Sequence, residues 1–249
     1  MRVSVDIKKK LVNWETMDNR RDKDINSMFL KIPFLAGLST VEKFALQKYI
    51  IFRDFRHNEI VLNEDDSINC FYLILAGKLK VIQLSAEGQE HILAIHKKGD
   101  FFGEMALLDG KTSPGTIVAL KDGRIGLIPK ASFLNIIMKN SLVIDRIIAM
   151  LCMRLRQAWL QIRAMSFEDA EHRIRFALHE LGEKFGIRDC RGILIDLDIT
   201  HQNIANLSST SRETVTRFLS IAAKANEIEV IANKKIFLKD NFSKKLHFL

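Results

Sequence analysis

The chain has 249 residues, and 47% of them are hydrophobic, which is enough for two folded domains with sizeable cores. The formal net charge of +8 favours an anionic partner, either nucleic acid or a membrane surface, although this signal is weak by itself. No apolar run reaches the roughly 18 residues of a transmembrane helix and the N-terminus lacks the apolar stretch of a signal peptide, so we expect a cytoplasmic protein without membrane contact.

Residues 1–27 are rich in charge and have no periodic apolar pattern, so we interpret them as an N-terminal extension. The three cysteines, Cys70, Cys152 and Cys190, are far apart, and no CxxC pair occurs. This spacing supports neither a zinc site nor an iron–sulfur cluster. We expect reduced, buried thiols, no metal and no cofactor.

Between Phe34 and Pro129, short apolar runs alternate with glycine-containing turns, a pattern typical of an antiparallel sandwich or barrel. The runs are residues 59–63, 70–77, 78–85, 91–96 and 124–129. The segment AEGQ, residues 86–89, lies between two of these runs and is predicted to form a hairpin loop.

After Ser132 the apolar period becomes helical, with alternating spacings of four and three over about three heptads. The residues of this heptad pattern are Ile144, Ile148, Leu151, Leu155, Ala158, Ile162 and Met165. A single helix with a narrow apolar seam predicts pairing with a second copy of the chain. The alternative is a helix packed on its own barrel, and the flanking Ile147, Met150 and Trp159 indicate that it does this as well.

The C-terminal part begins with residues 172–186, which have the apolar face of a helix. A strand-like run follows at residues 193–199. The runs 229–232 and 235–239 predict a final hairpin, whose loop includes Lys234.

Residues 200–228 contain two short helical segments separated by a tight turn. Thr200 and Ser211 are each placed to cap one of them, because a hydroxyl can accept a hydrogen bond from a free N–H of the first turn. Val215 and Leu219 lie on the inner face of the second helix. This arrangement is typical of a helix-turn-helix, whose second helix enters the major groove of DNA.

The outer face of this second helix carries polar groups suited to reading bases. These are Arg212, Glu213, Thr216, Arg217 and Ser220. An arginine can donate two hydrogen bonds to guanine, and a glutamate can accept one from cytosine. From these charges alone, an ordinary solvated helix face with a Glu–Arg pair is the favoured interpretation.

The segment closely resembles the recognition motif of the Crp–Fnr family, which includes the cyclic AMP receptor protein. The matching residues are Thr200, Gln202, Ile204, Ser211, Arg212, Glu213, Thr214, Val215 and Arg217. The resemblance implies that Arg212, Glu213 and Arg217 read a TGTGA-like half-site. It also implies that Ser211 and Thr214 help to anchor backbone phosphates.

Two positions depart from the family pattern. His201 stands where the family often has a basic phosphate contact, and Ser209 replaces the usual turn glycine. The final hairpin with Lys234 resembles the family's wing. The residues expected to contact double-stranded DNA are Thr200, His201, Gln202, Ser211, Arg212, Glu213, Thr214, Thr216, Arg217 and Lys234.

The resemblance extends to the N-terminal part, where residues 102–111 look like the phosphate-binding cassette of cyclic-nucleotide domains. The implied fold class is α+β, with an antiparallel β-barrel of the double-stranded β-helix type, a long dimerisation helix and a winged helix-turn-helix. The expected domains are an extension (1–27), a sensor (28–140), the dimerisation helix (141–168) and a DNA-binding domain (169–249).

In cyclic-nucleotide binders, the cassette supplies glycine N–H groups, a glutamate for the ribose and an Arg–Ser pair for the phosphate. Gly103 and Glu104 are present, but Ser113 and Pro114 stand where the Arg–Ser pair is expected, and proline has no N–H to donate. On the long helix, Ala158 and Trp159 replace the family's small hydroxyl residues, and we expect the Trp159 ring to occupy space that adenine would need. The predicted pocket residues are Gly103, Glu104, Met105, Ser113, Pro114, Ala158 and Trp159.

We therefore predict that cyclic AMP is not the effector. Residues 1–69 contain no cysteine, so the cluster of the Fnr branch is not expected. His91 and His96 are candidate haem ligands, but an isolated histidine on a strand is more often structural. A small organic ligand, constitutive activity without a ligand, and cyclic AMP in a divergent pocket stay open as alternatives.

The alternative from another class is a metal enzyme on a cupin-like barrel, which needs several histidines at one site. No HxH pair occurs, and His172 and His179 are roughly 10.5 Å apart along a helix, too far to share one ion. No GxSxG motif of a serine hydrolase occurs either. We expect no catalytic residues, a homodimer on DNA, and RNA polymerase as a further partner if the protein activates transcription.

Overall fold

A computed structural model describes residues 32–231 and 235–246. The predicted extension 1–27 and the predicted wing residue Lys234 lie outside these ranges. The described residues form a β-sheet domain, a long helix, and a smaller domain of helices with a second sheet.

The first domain begins with a 3-10 helix, Pro33–Gly37. Its other elements are α1 (Thr40–Gln47), β1 (Ile51–Phe55), β2 (Ile60–Leu62), β3 (Cys70–Leu84), β4 (Glu90–Lys97), β5 (Phe101–Phe102), α2 (Glu104–Asp109), β6 (Thr116–Pro129) and α3 (Lys130–Ile136). The strand order is β1-β6-β3-β4, with β2 on β6 and β5 on β3, and all pairs are antiparallel. The predicted antiparallel architecture is confirmed. The sheet is open and jelly-roll-like rather than a closed barrel, because β1 and β4 end the strand order without pairing with each other.

The two predicted runs 70–77 and 78–85 form one continuous strand, β3, with Gly77 at its bend. Gly77 has φ +86°, and a Cβ there would lie 2.7 Å from the carbonyl oxygen of Asp122. Only glycine fits such a close approach in this conformation. The predicted hairpin at 86–89 is also present, since Ser85 N donates to Gln89 O at 2.9 Å.

Helix α1 is an element that the apolar patterns do not predict. It begins with a capping box, in which Ser39 Oγ accepts from Glu42 N at 3.2 Å and Ser39 N donates to Glu42 Oε2 at 2.7 Å. The spacing Ser-x-x-Glu was the available sequence signal for this helix start.

The core of the first domain is built around aromatic side chains. Phe34, Phe71, Phe101 and Phe133 are each at most 1% exposed, and their neighbouring ring centroids lie 4.8–5.7 Å apart. This cluster joins the 3-10 helix, β3, β5 and α3, and so holds the segment before α2 in place.

The long helix α4 spans Ser141–Phe167 and is about 40 Å long. Asn140 caps it, because its Oδ1 accepts from Val143 N at 3.2 Å. Val143 and Ile147 are buried against the sheet domain, and Met150 and Leu151 pack partly on the same core. One face of α4 therefore packs on its own domain.

The second domain contains α5 (Ala170–Phe185), β7 (Gly186–Asp189), β8 (Gly192–Ile195), α6 (His201–Ser208), α7 (Arg212–Lys224), β9 (Ile228–Ile231) and β10 (Lys235–Lys239). Its sheet has the order β7-β8-β10-β9 and is antiparallel. The strand expected at 193–199 ends at Ile195, because the chain turns towards α6, with Leu197 and Ile199 still buried. Strand β7 has no alternating pattern, since all four of its residues are exposed.

The two domains pack against each other through the β3–β4 hairpin. Ile82, Ile92 and Ile95 share one apolar cluster with residues of α5 and α6. At the edge of this contact, Asn206 Nδ2 donates to Glu90 Oε1 at 2.9 Å. The second domain is therefore held against the first by packing and by hydrogen bonds.

Candidate DNA-binding surface and effector cavity

The two predicted helix caps of the helix-turn-helix are present. Thr200 Oγ1 accepts from Asn203 N at 3.1 Å at the start of α6, and Ser211 Oγ accepts from Thr214 N at 3.1 Å at the start of α7. Each cap satisfies an N–H that the first helical turn leaves free. The hydroxyls of both caps therefore help to set where the two helices begin.

The turn between α6 and α7 holds a residue other than glycine in the left-handed region. Ser209 has φ +48°, a conformation that costs an L-residue roughly 1–2 kcal/mol. Arg173 of α5 stabilises this turn, because its guanidinium donates to the carbonyl oxygens of Ser208 and Ser209 at 3.0 and 3.3 Å. The sequence motif did not include Arg173, which lies 36 residues before Ser209.

The two faces of α7 are separated as predicted. Val215, Leu219 and Ala222 are at most 3% exposed, whereas the predicted outer-face residues all lie in solvent. Phe218, which the sequence reasoning missed, is buried on the inner face as well. The helix thus presents one continuous polar face.

Arg212, Glu213 and Arg217 of this face are exposed, and none of them takes part in an ion pair among the described residues. The alternative expectation, a Glu–Arg pair four residues apart, is therefore absent here. Hydrogen bonds at the helix start, from the Glu213 backbone and from Ser211, lower the pKa of Glu213 and keep its carboxylate ionised. The three side chains span about 7.5 Å of helix axis.

The remaining predicted DNA contacts flank this face. His201 Nδ1 lies 2.9 Å from Thr216 Oγ1, and that hydroxyl donates to Arg212 O at 2.9 Å, which links α6 to α7. Gln202 is exposed, and its Nε2 donates to Asn206 at 2.8 Å. Next to Lys234, Lys235 pairs with Asp196 at 2.6 Å.

A second candidate site is a cavity of about 630 Å³ between the sheet domain, α4 and α5. The structure brings six of the predicted pocket residues to its wall. These are Gly103, Glu104, Met105, Ser113, Pro114 and Ala158. Gly103 has φ +85° and precedes α2, and a Cβ there would lie 2.8 Å from the Tyr72 ring, so glycine is required.

Trp159 does not line this cavity. Trp159 is 61% exposed. The expectations that the Trp159 ring occupies the pocket and that Trp159 packs on its own sheet domain are therefore wrong for this structure. The helix rotation that points Ala158 inward turns the next residue outward.

Arg154 of α4 is a cavity residue that the sequence reasoning missed. Its guanidinium donates to Glu104 at 2.8 Å and to Phe101 O at 2.7 Å, and it lies 4.7 Å from the Phe101 ring centroid. Burial raises the pKa of Glu104, which is 3% exposed, and Arg154 opposes that rise. The cassette contains no arginine of its own, but the long helix supplies one.

A second set of titratable groups includes His96 and Lys184, which also line the cavity. Asp100 pairs with Lys184 of α5 at 3.0 Å, and its oxygen lies 3.5 Å from His96 Nδ1. Burial lowers the pKa of His96 to about 4, so the imidazole is neutral near pH 7. Burial opposes ionisation of Asp100, but the contacts with His96 and Lys184 lower its pKa.

Several apolar residues of α4 remain in solvent, and five of them form a row along the helix. The row consists of Ile148, Cys152, Leu155, Trp159 and Ile162; Leu142, Met153, Met165 and Phe167 are exposed in addition to it. The spacing within the row alternates between four and three, as in the predicted heptad pattern, but Leu151 and Ala158 are half-buried and their neighbours Cys152 and Trp159 take their places. We call this row the shifted seam. Cys152 and Cys190 are exposed, so the expectation of buried thiols is wrong for both.

Within the described parts of the chain, no helix combines the length and the apolar character needed to cross a membrane. No three histidine, cysteine or acidic side chains in the same parts cluster as a metal site would require. The two candidate sites therefore remain the helix-turn-helix face and the interdomain cavity.

Two family models match this chain: a cyclic nucleotide-binding domain over residues 52–140 and a Crp-like helix-turn-helix domain over residues 172–241. The cyclic AMP receptor protein of Thermus thermophilus is 31% identical over 198 residues, which cover 80% of this chain and 88% of that protein. The CRP-like cAMP-activated global transcriptional regulator of Mycobacterium tuberculosis is 25% identical over 197 residues, covering 79% and 88%.

Among solved structures, FixK2 from Bradyrhizobium japonicum has a TM-score of 0.69 at 22% identity, covering 80% of this chain and 96% of that one. A cyclic-nucleotide-type sheet domain joined to a helix-turn-helix defines a transcription regulator. The chain belongs to the Crp–Fnr family, and it is a regulator rather than an enzyme.

Proposed function

We propose that this protein is a homodimeric, sequence-specific DNA-binding regulator that recognises a TGTGA-like palindrome. The main support for this proposal is the polar face of α7, where Arg212, Glu213 and Arg217 are exposed and form no ion pair with any residue that the structure describes. Each arginine can donate two hydrogen bonds to a guanine edge, and Glu213 can accept one from a cytosine. Thr200, Ser211 and Thr214 then lie at helix starts, where N–H groups and hydroxyls suit phosphate contacts.

A dimer is needed because a palindrome presents two half-sites about 34 Å apart. The apolar face of α4 is the candidate dimer surface, since a row of apolar side chains in solvent is unfavourable in a monomer. The predicted heptad seam and the shifted seam share Ile148, Leu155 and Ile162. The shifted seam has Cys152 and Trp159 in place of Leu151 and Ala158, and it does not include Ile144, which is half-buried, or Met165, which is exposed. The exposure of Cys152 and Trp159 favours the shifted seam.

Cross-linking at Cys152 tests the dimer and its seam together. If the shifted seam is correct, the two Cys152 side chains face each other across parallel helices, and mild oxidation yields a dimer that reducing agent splits. Cys152→Ser abolishes the cross-link, whereas Cys190→Ser, which removes the other exposed thiol, leaves it intact. A cross-link that needs Cys190, or a monomer in sedimentation, argues against this dimer.

The proposed domains are the sensor at 28–140, the dimerisation helix at 141–168 and the DNA-binding domain at 169–249, with 1–27 as an extension. Such a regulator acts in the cytoplasm on chromosomal DNA. If it activates transcription, RNA polymerase is a partner.

We further propose that the effector is not cyclic AMP, or that none is needed. Two features support this. Pro114 cannot donate an N–H to a phosphate, and the hydroxyl of Ser113 donates to Gly115 O at 2.8 Å instead of being available to a ligand.

A cyclic-AMP-responsive regulator with a divergent pocket is the second candidate. Two observations favour it: the two relatives described above are named for cyclic AMP, and Arg154 reaches the cassette from the long helix. If Arg154 left Glu104, its guanidinium could meet a phosphate and Glu104 a ribose hydroxyl.

Fluorescence anisotropy of a labelled duplex with inverted TGTGA-like half-sites distinguishes these candidates. We expect sequence-specific binding without cyclic AMP, compared with a duplex in which both half-sites are scrambled. Specific binding that appears only with cyclic AMP supports the second candidate. Equal affinity for both duplexes under all conditions contradicts the proposed half-site.

A further inference from the structure

The cavity has walls from both domains. The sheet domain contributes α2, β4 and the segment 113–115, whereas α5 of the DNA-binding domain contributes Ala177, Glu180, Leu181, Lys184 and Phe185. A volume of about 630 Å³ lies within the usual range for small-molecule sites. A ligand that fills it therefore contacts the sensor and the DNA-binding domain at the same time.

Most of the wall is apolar. The apolar side chains come from every element around the cavity, and they include Val81, Phe102, Ile117, Leu151, Leu181 and Phe185. Such a wall favours a ligand with an apolar body, because burying apolar area releases about 25 cal/mol per Å².

Both cations of the cavity already have an acidic partner. Arg154 pairs with Glu104 at 2.8 Å, and Lys184 pairs with Asp100 at 3.0 Å. An anionic ligand must compete with a carboxylate for the charge of either cation, and each carboxylate that loses its cation stays buried with less compensation. The cavity is therefore poorly suited to a phosphate or a carboxylate.

The other polar groups of the wall are neutral or acidic. His96 is a neutral imidazole, and Ser113 is satisfied by Gly115 O. Glu180 accepts from Gln157 Nε2 at 3.3 Å, and burial raises the pKa of its carboxyl. None of the ion pairs in the described part of the chain includes Glu180, so the wall offers an anion no positive charge at this position.

We propose that this cavity binds an uncharged, mainly apolar organic molecule that contacts the sheet domain and α5 together. This inference rests on the regulator function proposed above and names the class of its effector. Because the ligand bridges the domains, it stabilises the docked position of the DNA-binding domain and thereby biases DNA affinity.

Two fluorescent probes with the same aromatic body test the charge preference. N-phenyl-1-naphthylamine is uncharged, and 8-anilino-1-naphthalenesulfonate carries an added sulfonate. We expect saturable binding of the uncharged probe, one molecule per protomer, and at least about tenfold weaker binding of the sulfonate, since the anion enters an apolar wall whose cations are already paired with carboxylates. Millimolar cyclic AMP does not displace the uncharged probe. Equal affinity for both probes, or displacement by cyclic AMP, overturns the proposed ligand class.

A charge variant sharpens this test. Glu104→Gln keeps the shape of the side chain and leaves Arg154 without its carboxylate partner. We expect the affinity ratio of the two probes to shift towards the sulfonate by about tenfold. An unchanged ratio contradicts the role assigned to the ion pair.

Substitutions in α5 test whether the DNA-binding domain forms part of the cavity wall. Ala177→Trp fills the cavity and removes binding of the uncharged probe, whereas Ala86→Trp in the exposed hairpin loop is the matched control and keeps it. Glu180→Trp, at a half-buried position, repeats the test if Ala177→Trp fails to fold by circular dichroism. Unchanged probe affinity in the folded variants overturns the two-domain site.

Failure of this inference and failure of the regulator function give different results. The probe titrations need no DNA, and the anisotropy titration of the wild-type protein needs no probe. Specific DNA binding without any preference for the uncharged probe refutes only the ligand class.

Discussion

The buried guanidinium of Arg175 is expected to fix the recognition helix against α5. Arg175 is 2% exposed, and its Nη1 donates to Glu227 at 2.7 Å and to Phe242 O at 3.3 Å. The guanidinium also lies 5.3 Å from the ring centroid of Phe218 on α7. We consider Arg175→Met, which keeps an unbranched side chain but removes the charge and all of these donors.

The expected loss follows from the buried pair. Removing one partner of a buried ion pair costs about 3–5 kcal/mol, because the other charge stays buried without compensation. Here Glu227 keeps a second partner in Lys245, so we place the loss near the lower end, about 3 kcal/mol. This corresponds to roughly a 150-fold change in the equilibrium between the packed and the locally unfolded state of α7.

Hydrogen–deuterium exchange read by mass spectrometry measures this loss locally. We expect the amides of α7 to exchange roughly 100-fold faster in Arg175→Met, while the amides of β3 in the other domain are unchanged. The matched control is Arg191→Met, which removes an exposed arginine paired with Asp189 at 3.0 Å and is expected to leave the exchange of α7 unchanged, because an exposed ion pair contributes little to stability. Exchange of α7 within about threefold of the wild type would refute the reasoning.

Three further predictions concern DNA, the bend of β3 and pH. Arg217→Lys keeps the charge but loses the bidentate donor geometry. In anisotropy titrations we expect an affinity for the half-site duplex that is at least about tenfold lower, with an unchanged salt dependence of that affinity. A variant that keeps its preference for the half-sites but has a weaker salt dependence contradicts base reading by Arg217. Gly77→Ala places a Cβ 2.7 Å from Asp122 O and lowers the melting temperature more than Gly88→Ala, where nothing lies within 4 Å; equal shifts contradict the steric argument. Burial lowers the pKa of His96 to about 4, so as the pH drops the imidazole takes up a proton in the unfolded chain before it does so in the folded one. The free energy of unfolding therefore falls between about pH 6.5 and pH 4. We expect His96→Gln to flatten this part of a profile of urea midpoint against pH, and an unchanged profile refutes the assignment.

Much of the helix-turn-helix could be predicted because its signals are local. Thr200 and Ser211 cap the helices that they directly precede, and the period of Val215 and Leu219 identifies the buried face. The base and phosphate contacts themselves stay predictions. The turn at Ser209 is a different case, because the side chain that stabilises it, Arg173, comes from another helix.

The long helix shows where periodicity stops being informative. A heptad pattern identifies the helix. A row with Cys152 and Trp159 in place of Leu151 and Ala158 has the same alternation of four and three, so the pattern does not choose between the two rows. Packing on the sheet domain decides which row stays in solvent, and it leaves Cys152 and Trp159 exposed while Leu151 and Ala158 are half-buried.

The family could be recognised from the sequence because residues 200–217 resemble the recognition motif of its members. The antiparallel sheet domain, the long helix and the polar face of α7 could be predicted because caps, turns and apolar periods act between residues a few positions apart. The open sheet, the contact of Arg154 with Glu104 across 50 residues and the closure of the cavity by α5 are visible only in the folded chain. These features depend on how separate elements pack, because side chains far apart in the chain have a defined distance to each other only after folding.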